Sequence, residues 1–163
     1  MKPSIICDTT LWLYLGRIRR IELLSSLFTP IYLSEAVLLE LDMGRFLRSD
    51  TLDPRALSWA VSVHVTQKDL ERLPINRLGT GERTTIAYAY THPDVLVGLD
   101  DFRARQLAES LGLRVTGTPG VLLRAKRAGL LAAIRPELEA LISQGFRLSS
   151  DLYVYVLKLA EEA

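Results

Sequence analysis

One cysteine and two histidines are the only soft metal ligands in this chain of 163 residues: Cys7, His64 and His92. No internal disulfide can form, no four-ligand Cys or Cys/His zinc site can be assembled, and a multi-histidine centre is excluded too. No apolar run approaches the roughly 18 residues that a membrane helix needs. The opening Met1-Lys2-Pro3-Ser4 lacks signal-peptide architecture, and Asp8 interrupts the short apolar stretch behind it. A cytoplasmic protein with no membrane partner is the expectation. Neither sign of charge dominates: 20 Lys+Arg against 19 Asp+Glu leave +1, so there is no global nucleic-acid footprint. Lysine is scarce, four against sixteen arginines. Arginine is the better bidentate phosphate binder, but a biased genome gives the same ratio.

What is present is ordinary globular material, 48% hydrophobic and 24% charged, of a size that suits a single domain over residues 1–163. Short apolar runs alternate with helix-like stretches, the pattern of a parallel sheet with helices on both faces. Strands are expected at Ser4 to Cys7, Pro30 to Leu33, Val61 to Val65, Val95 to Leu99 and Arg114 to Thr116. Helices are expected at Leu11 to Gly16, at Ile18 to Phe28, and from an N-cap at Ser34 through Leu41. Residues 44 to 60 are ambiguous and read as helical after Pro54. Further helices run from Gly79 to about Tyr90 and from Asp101 to Leu111. Gly117 to Gly120 reads as a turn, followed by two helices around Gly129 and a last one from about Ser150 to Ala160.

Several acids fall where such a fold binds ligands. Asp8, Asp100 and Asp101 lie just past strand ends, at the edge of an open α/β sheet where sites form. Each alone is also a sound helix cap. Glu40 shares a helix face with Ala36 and Val37, and Glu82 lies within about 40° of Ile86 and Ala89 on its helix's apolar face. A boundary glutamate that pairs with an arginine is the plain alternative for either. If Asp8, Glu40, Glu82 and Asp100 converge, each close pair repels by about 4 kcal/mol at 4 Å and an effective dielectric of 20. Such a group needs a cation or much-raised pKa values. An all-oxygen site suits Mg²⁺ or Mn²⁺, ions that serve phosphoryl and phosphodiester chemistry.

Other motifs fail on inspection. Gly79-Thr80-Gly81-Glu82-Arg83-Thr84 lacks the lysine of a phosphate loop. Asp8-Thr9-Thr10 lacks the second aspartate of haloacid-dehalogenase phosphatases, and Arg114 to Gly117 lacks the lysine of a receiver domain. His64 in an apolar run and His92 beside Pro93 each read as a core or surface residue rather than a catalytic one, and Cys7 as a small buried apolar one.

The order of Ile5-Ile6-Cys7-Asp8-Thr9-Thr10, Ile21 to Leu24, Ile31 to Leu41, Gly79-Thr80-Gly81-Glu82, Leu99 to Arg105 and Gly117 to Gly129 resembles a PIN domain. The likeness is to the short stand-alone prokaryotic subfamily of the VapC-type ribonuclease fold. It implies a three-layer αβα fold with a five-stranded parallel sheet in the order 3-2-1-4-5 and extra C-terminal helices. It also implies a divalent-metal-dependent endoribonuclease acting on RNA, with a toxin of a toxin–antitoxin pair as one role. By similarity, Asp8, Glu40, Glu82 and Asp100 are the catalytic and metal-binding acids; Asp101 is auxiliary, and Thr9 or Thr10 is the hydroxyl residue after the first aspartate. An antitoxin protein and a homodimer are the implied partners. A PIN-like module that binds RNA or protein without cleaving is the alternative. The late cations Arg124, Lys126 and Arg127 read either as a solvated helix end or as an RNA-binding segment beside the acids.

Overall fold

The computed structural model describes residues 1–163. The chain runs β1 (Ile5–Cys7), α1 (Thr9–Arg17), α2 (Glu22–Leu27), β2 (Ile31–Ser34), α3 (Glu35–Leu47), a 3₁₀ turn (Pro54–Ala56) and β3 (Ala60–Val63). It continues through α4 (Gln67–Glu71), α5 (Thr80–Thr91), β4 (Leu96–Gly98), α6 (Phe102–Ser110) and β5 (Val115–Thr116). Three helices close it: α7 (Thr118–Arg127), α8 (Arg135–Ser143) and α9 (Ser150–Leu159). The five strands form one parallel sheet in the order β3-β2-β1-β4-β5, flanked by helices as a three-layer α/β PIN fold requires.

The strands are apolar throughout because both faces are covered. Ile5 and Cys7 of β1 point into one core and Ile6 into the other; Ile31 and Leu33 of β2 repeat the alternation around Tyr32. The larger core joins α1, α2, α3, α7, α8 and α9, and Trp12 and Phe28 are its bulkiest members. The smaller core is built from α5 and α6, whose buried Ala87, Ala89, Ala104 and Ala108 let both helices lie close to the sheet. The chain winds outward from β1 through β2 to β3, then crosses back to β4 on the other side of β1, so the C-terminal edge between β1 and β4 is the topological switch point of the sheet.

Three expectations change. Helix α3 continues to Leu47, beyond Leu41, because its last buried residue is Leu41 and the turns after it carry Phe46 and Leu47 into solvent. The region after Pro54 is a single 3₁₀ turn rather than a longer helix. Gly117 to Gly120 is not a free turn: Thr118 already opens α7, with Pro119 in the first helical turn, where its missing N–H costs nothing. No helix is long and apolar enough to cross a membrane.

Candidate metal and nuclease site

Asp8 follows β1 directly and caps α1, its Oδ1 accepting from Leu11 N at 3.1 Å. It is only 2% exposed, and Oδ2 receives no hydrogen bond. Asp100 follows β4, the strand paired with β1, and is held by the start of α7: Thr118 N donates to Oδ1 at 2.7 Å and Thr118 Oγ1 to Oδ2 at 2.6 Å. Asp101 caps α6 through Oδ2, which accepts from Ala104 N at 3.0 Å. Glu82 sits in the first turn of α5, half-buried.

Glu40 comes from the middle of α3, which packs against α5. Its Oε1 accepts from Gly81 N at 3.2 Å, and its Oε2 from the Thr9 hydroxyl. A Cβ at Gly81 would stand 2.3 Å from Glu40 Oε2, so only glycine lets this carboxylate rest on the backbone of α5. The Gly79-Thr80-Gly81 stretch is thus a cradle for a carboxylate, not for a phosphate. Gly117 does the same for Asp100, since a Cβ there would lie 2.8 Å from Asp100 Oδ1 and 2.7 Å from Arg105 Nη1. Thr85 Oγ1 bonds the Gly81 carbonyl at 2.7 Å, and Thr84 Oγ1 meets the buried Ser34 hydroxyl at 2.7 Å, so the α5 start is pinned to the end of β2.

Electrostatics ties these groups together. Burial pushes the Asp8 carboxyl well above the usual carboxylate range, and the charges of Asp100, Glu82 and Glu40 push it further. Glu82 is raised by burial, then by Asp101 and Glu40. Asp100 is raised by burial, against the Thr118 hydrogen bonds and the Arg105 charge, which lower it. Of the buried pair Asp8 has the weaker support, one amide against the two donors and the cation that face Asp100. Burial and the same two aspartates also push the Cys7 thiol far up, so it is a core residue and no nucleophile.

The expected acids therefore share one edge. Thr9 joins them through Glu40; the Thr10 hydroxyl has no hydrogen-bond partner in the structure. No three side chains are arranged, as they stand, to hold a metal ion. Their chemistry still fits one: the donors are oxygen only, their charges raise one another's pKa values, and two of them rest in glycine cradles.

The chain matches a family model described as a PIN domain over residues 4–162. It is a member of the PIN-domain family. No curated protein and no solved structure matches it. PIN domains are generally nucleases that bind nucleic acid and use divalent metal ions.

The late cations lie elsewhere. Helix α7 starts at Thr118, against Asp100, and runs away from the acid edge, so Arg124 and Arg127 are about 9 and 14 Å down its axis from Thr118. Arg124 stacks over Phe28, the C-cap of α2, and Lys126 donates to the Ala160 carbonyl and to Glu162 Oε2 at 3.0 Å. A helix of ten residues thus carries this segment away from the acids, toward the other edge of the sheet. The cation that does border them, Arg105, was missed by sequence reasoning. Its Nη1 donates to the Leu99 carbonyl at 3.0 Å, and only its position on the first turn of α6 hinted at it. Thr118, the anchor of Asp100, was missed as well, hidden inside what read as a turn.

Proposed function

We propose that the chain is a Mg²⁺- or Mn²⁺-dependent endoribonuclease whose metal-holding residues are Asp8, Glu40, Glu82 and Asp100. The observation that carries the reading is the mutual charging of acids from four distant segments at one sheet edge, with Asp8 buried and raised by three of the others. No lysine or arginine forms an ion pair with Asp8, Glu40 or Glu82, so a divalent ion is the counter-charge that chemistry supplies. When bound, it would contribute Lewis acidity at the scissile phosphate and lower the pKa of the attacking water.

The chain's own part is positioning and proton handling. Thr9 and Gly81 fix the Glu40 carboxylate, and Thr118 fixes Asp100, before substrate arrives. Asp101 acts as the auxiliary base: its Oδ2 is used by the cap, and its Oδ1 is free for a proton given up by water. The water oxygen then bonds to phosphorus in line as the P–O bond opposite it breaks, and the departing ribose oxygen takes up a proton from solvent. A homodimer and, for a toxin, an antitoxin partner belong to the same proposal; Arg124, Lys126 and Arg127 would reach only RNA backbone remote from the cut.

The test is cleavage of single-stranded RNA in EDTA, Mg²⁺ and Mn²⁺ by the parent and by Asp8→Asn. Metal-dependent cleavage that the substitution abolishes is expected. RNA that is bound yet stays intact in both metals overturns the enzyme in favour of a binding module. Growth arrest on expression, relieved by the product of an adjoining gene, tests the toxin role.

A further inference from the structure

We propose that the groove between α6, the start of α7 and α9 is the seat of an unpaired RNA base beside the cut, with Phe102 and Tyr155 as its stacking walls and Arg105 and Arg147 on the flanking phosphates. The proposal rests on the ribonuclease reading for its strand, but its residues are distinct from the metal-holding acids.

The groove has a volume of about 470 Å³, and Asp100 lines one end of it. A bound strand that presents a phosphate to the acid edge therefore has its next base at the groove mouth. Phe102, two residues past Asp100, is 71% exposed, and Tyr155 on α9 is 58% exposed, with Leu152 beside it. With Leu123 and Leu159 in the same groove they form one contiguous apolar patch, the kind that marks a contact surface. Here they line a concave site with an apolar wall.

Charge selects the occupant. Arg147 has no carboxylate or hydrogen-bond partner in the structure, and Arg105 spends a single N–H on the Leu99 carbonyl. Aromatic faces alternating with free guanidinium groups form the usual composition of a single-strand site, where bases stack and cations follow the backbone. A duplex cannot offer a base face to such a groove without unstacking it. The other cavity of like size, about 480 Å³ between α1 and the loop after α3, is lined by Arg17, Arg19 and Arg48 but touches none of the acids.

The experiment is fluorescence anisotropy in EDTA, where cleavage is silent, with a labelled single-stranded RNA octamer, the same octamer as a duplex, and one with a central abasic site. Phe102→Ala and Tyr155→Ala should each weaken the single strand about ten-fold, the scale of one lost base–aromatic stack. Tyr155→Phe should bind like the parent. Should Tyr155→Ala fail to fold, Tyr155→Leu keeps the apolar packing and removes the ring alone. Parent binding that is equal for abasic and intact strands, alanine variants that bind like the parent, or no binding of any strand overturns the groove. So does a solution dimer that Tyr155→Ala breaks while RNA binding is unchanged, which would assign this surface to a protein contact. The two readings fail separately. Cleavage in Mn²⁺ with ring-independent binding removes the groove and leaves the nuclease; ring-dependent binding without cleavage in any metal does the reverse.

Discussion

Helix α3 carries two acids two residues apart, and their surroundings differ completely. Asp42 is gripped by arginine: Arg55 reaches its two oxygens at 2.8 and 3.0 Å, and Arg45 contacts it as well. The Arg55 hydrogen bond, with Arg45, holds the Asp42 carboxyl below its ordinary value, and Arg48 does the same for Asp50 at 2.8 Å. Glu40, about 200° around the helix, meets a hydroxyl, a backbone amide and the charges of two other acids, Asp8 and Glu82. The chain has arginines enough to neutralise one acidic cluster and places none against Glu40. Positive charge is built in on one face of α3 and must come from outside on the other.

The sharpest way to break the comparison is Asp8→Asn. Cleavage should fall on the order of 100-fold or more, since an oxygen ligand and several kcal/mol of charge stabilisation go together; a parent-like rate in Mn²⁺ would refute the site. Gly81→Ala leaves every charge in place and moves only Glu40, whose carboxylate a Cβ would displace. Metal affinity, followed by calorimetry, should drop roughly 10- to 100-fold, the scale of lost support around a ligand. Metal should also stabilise the fold: at a free concentration 100 times Kd the gain is about 2.7 kcal/mol. Thermal melts with EDTA and with Mn²⁺ read it, and Asp42→Asn, which touches the arginine-neutralised cluster, should leave the gain unchanged.

The smallest effect is on pH, and the two clusters have opposite signs. Asp8 has a folded pKa above its ordinary 3.8. Its contribution is fully present below that value and is lost as pH rises through the folded pKa. Asp42 is lowered from 3.8, so its contribution is present above that value and lost as pH falls through the folded pKa. Metal-free protein should thus lose urea resistance as pH rises from about 4 toward neutrality, and Asp8→Asn should flatten that slope. Added Mn²⁺ should reverse it, because the ion binds the ionised acids. A metal-free slope that survives Asp8→Asn would locate the titration elsewhere.

Much of this was legible in the sequence because strands buried on both faces read as plain apolar runs, and Ile5-Ile6-Cys7 and Leu96-Val97-Gly98 can be little else. The acids were legible for a related reason: Asp8 and Asp100 end those runs, and Glu82 breaks an apolar helix face. What escaped was whatever depends on contacts between distant segments. Thr118 is an unremarkable threonine until Asp100, 18 residues earlier, lies against it. The two glycines around Thr80 suggested a phosphate loop, and only the approach of Glu40 explains Gly81. The length of α3 escaped because Phe46 and Leu47 are apolar yet exposed, which breaks the periodicity that sequence reading follows.

Cys7 closes the account in a practical sense. The chain's sole thiol lies in the central strand, fully buried and disfavoured as thiolate by burial and by Asp8 and Asp100. The folded protein is chemically a cysteine-free background. A thiol engineered at Arg147 or Leu152 would take a dye or spin label at one place only, without first removing the native cysteine. Alkylation of Cys7 itself would require β1 to leave the sheet, so its rate is a built-in clock for opening of the sheet centre.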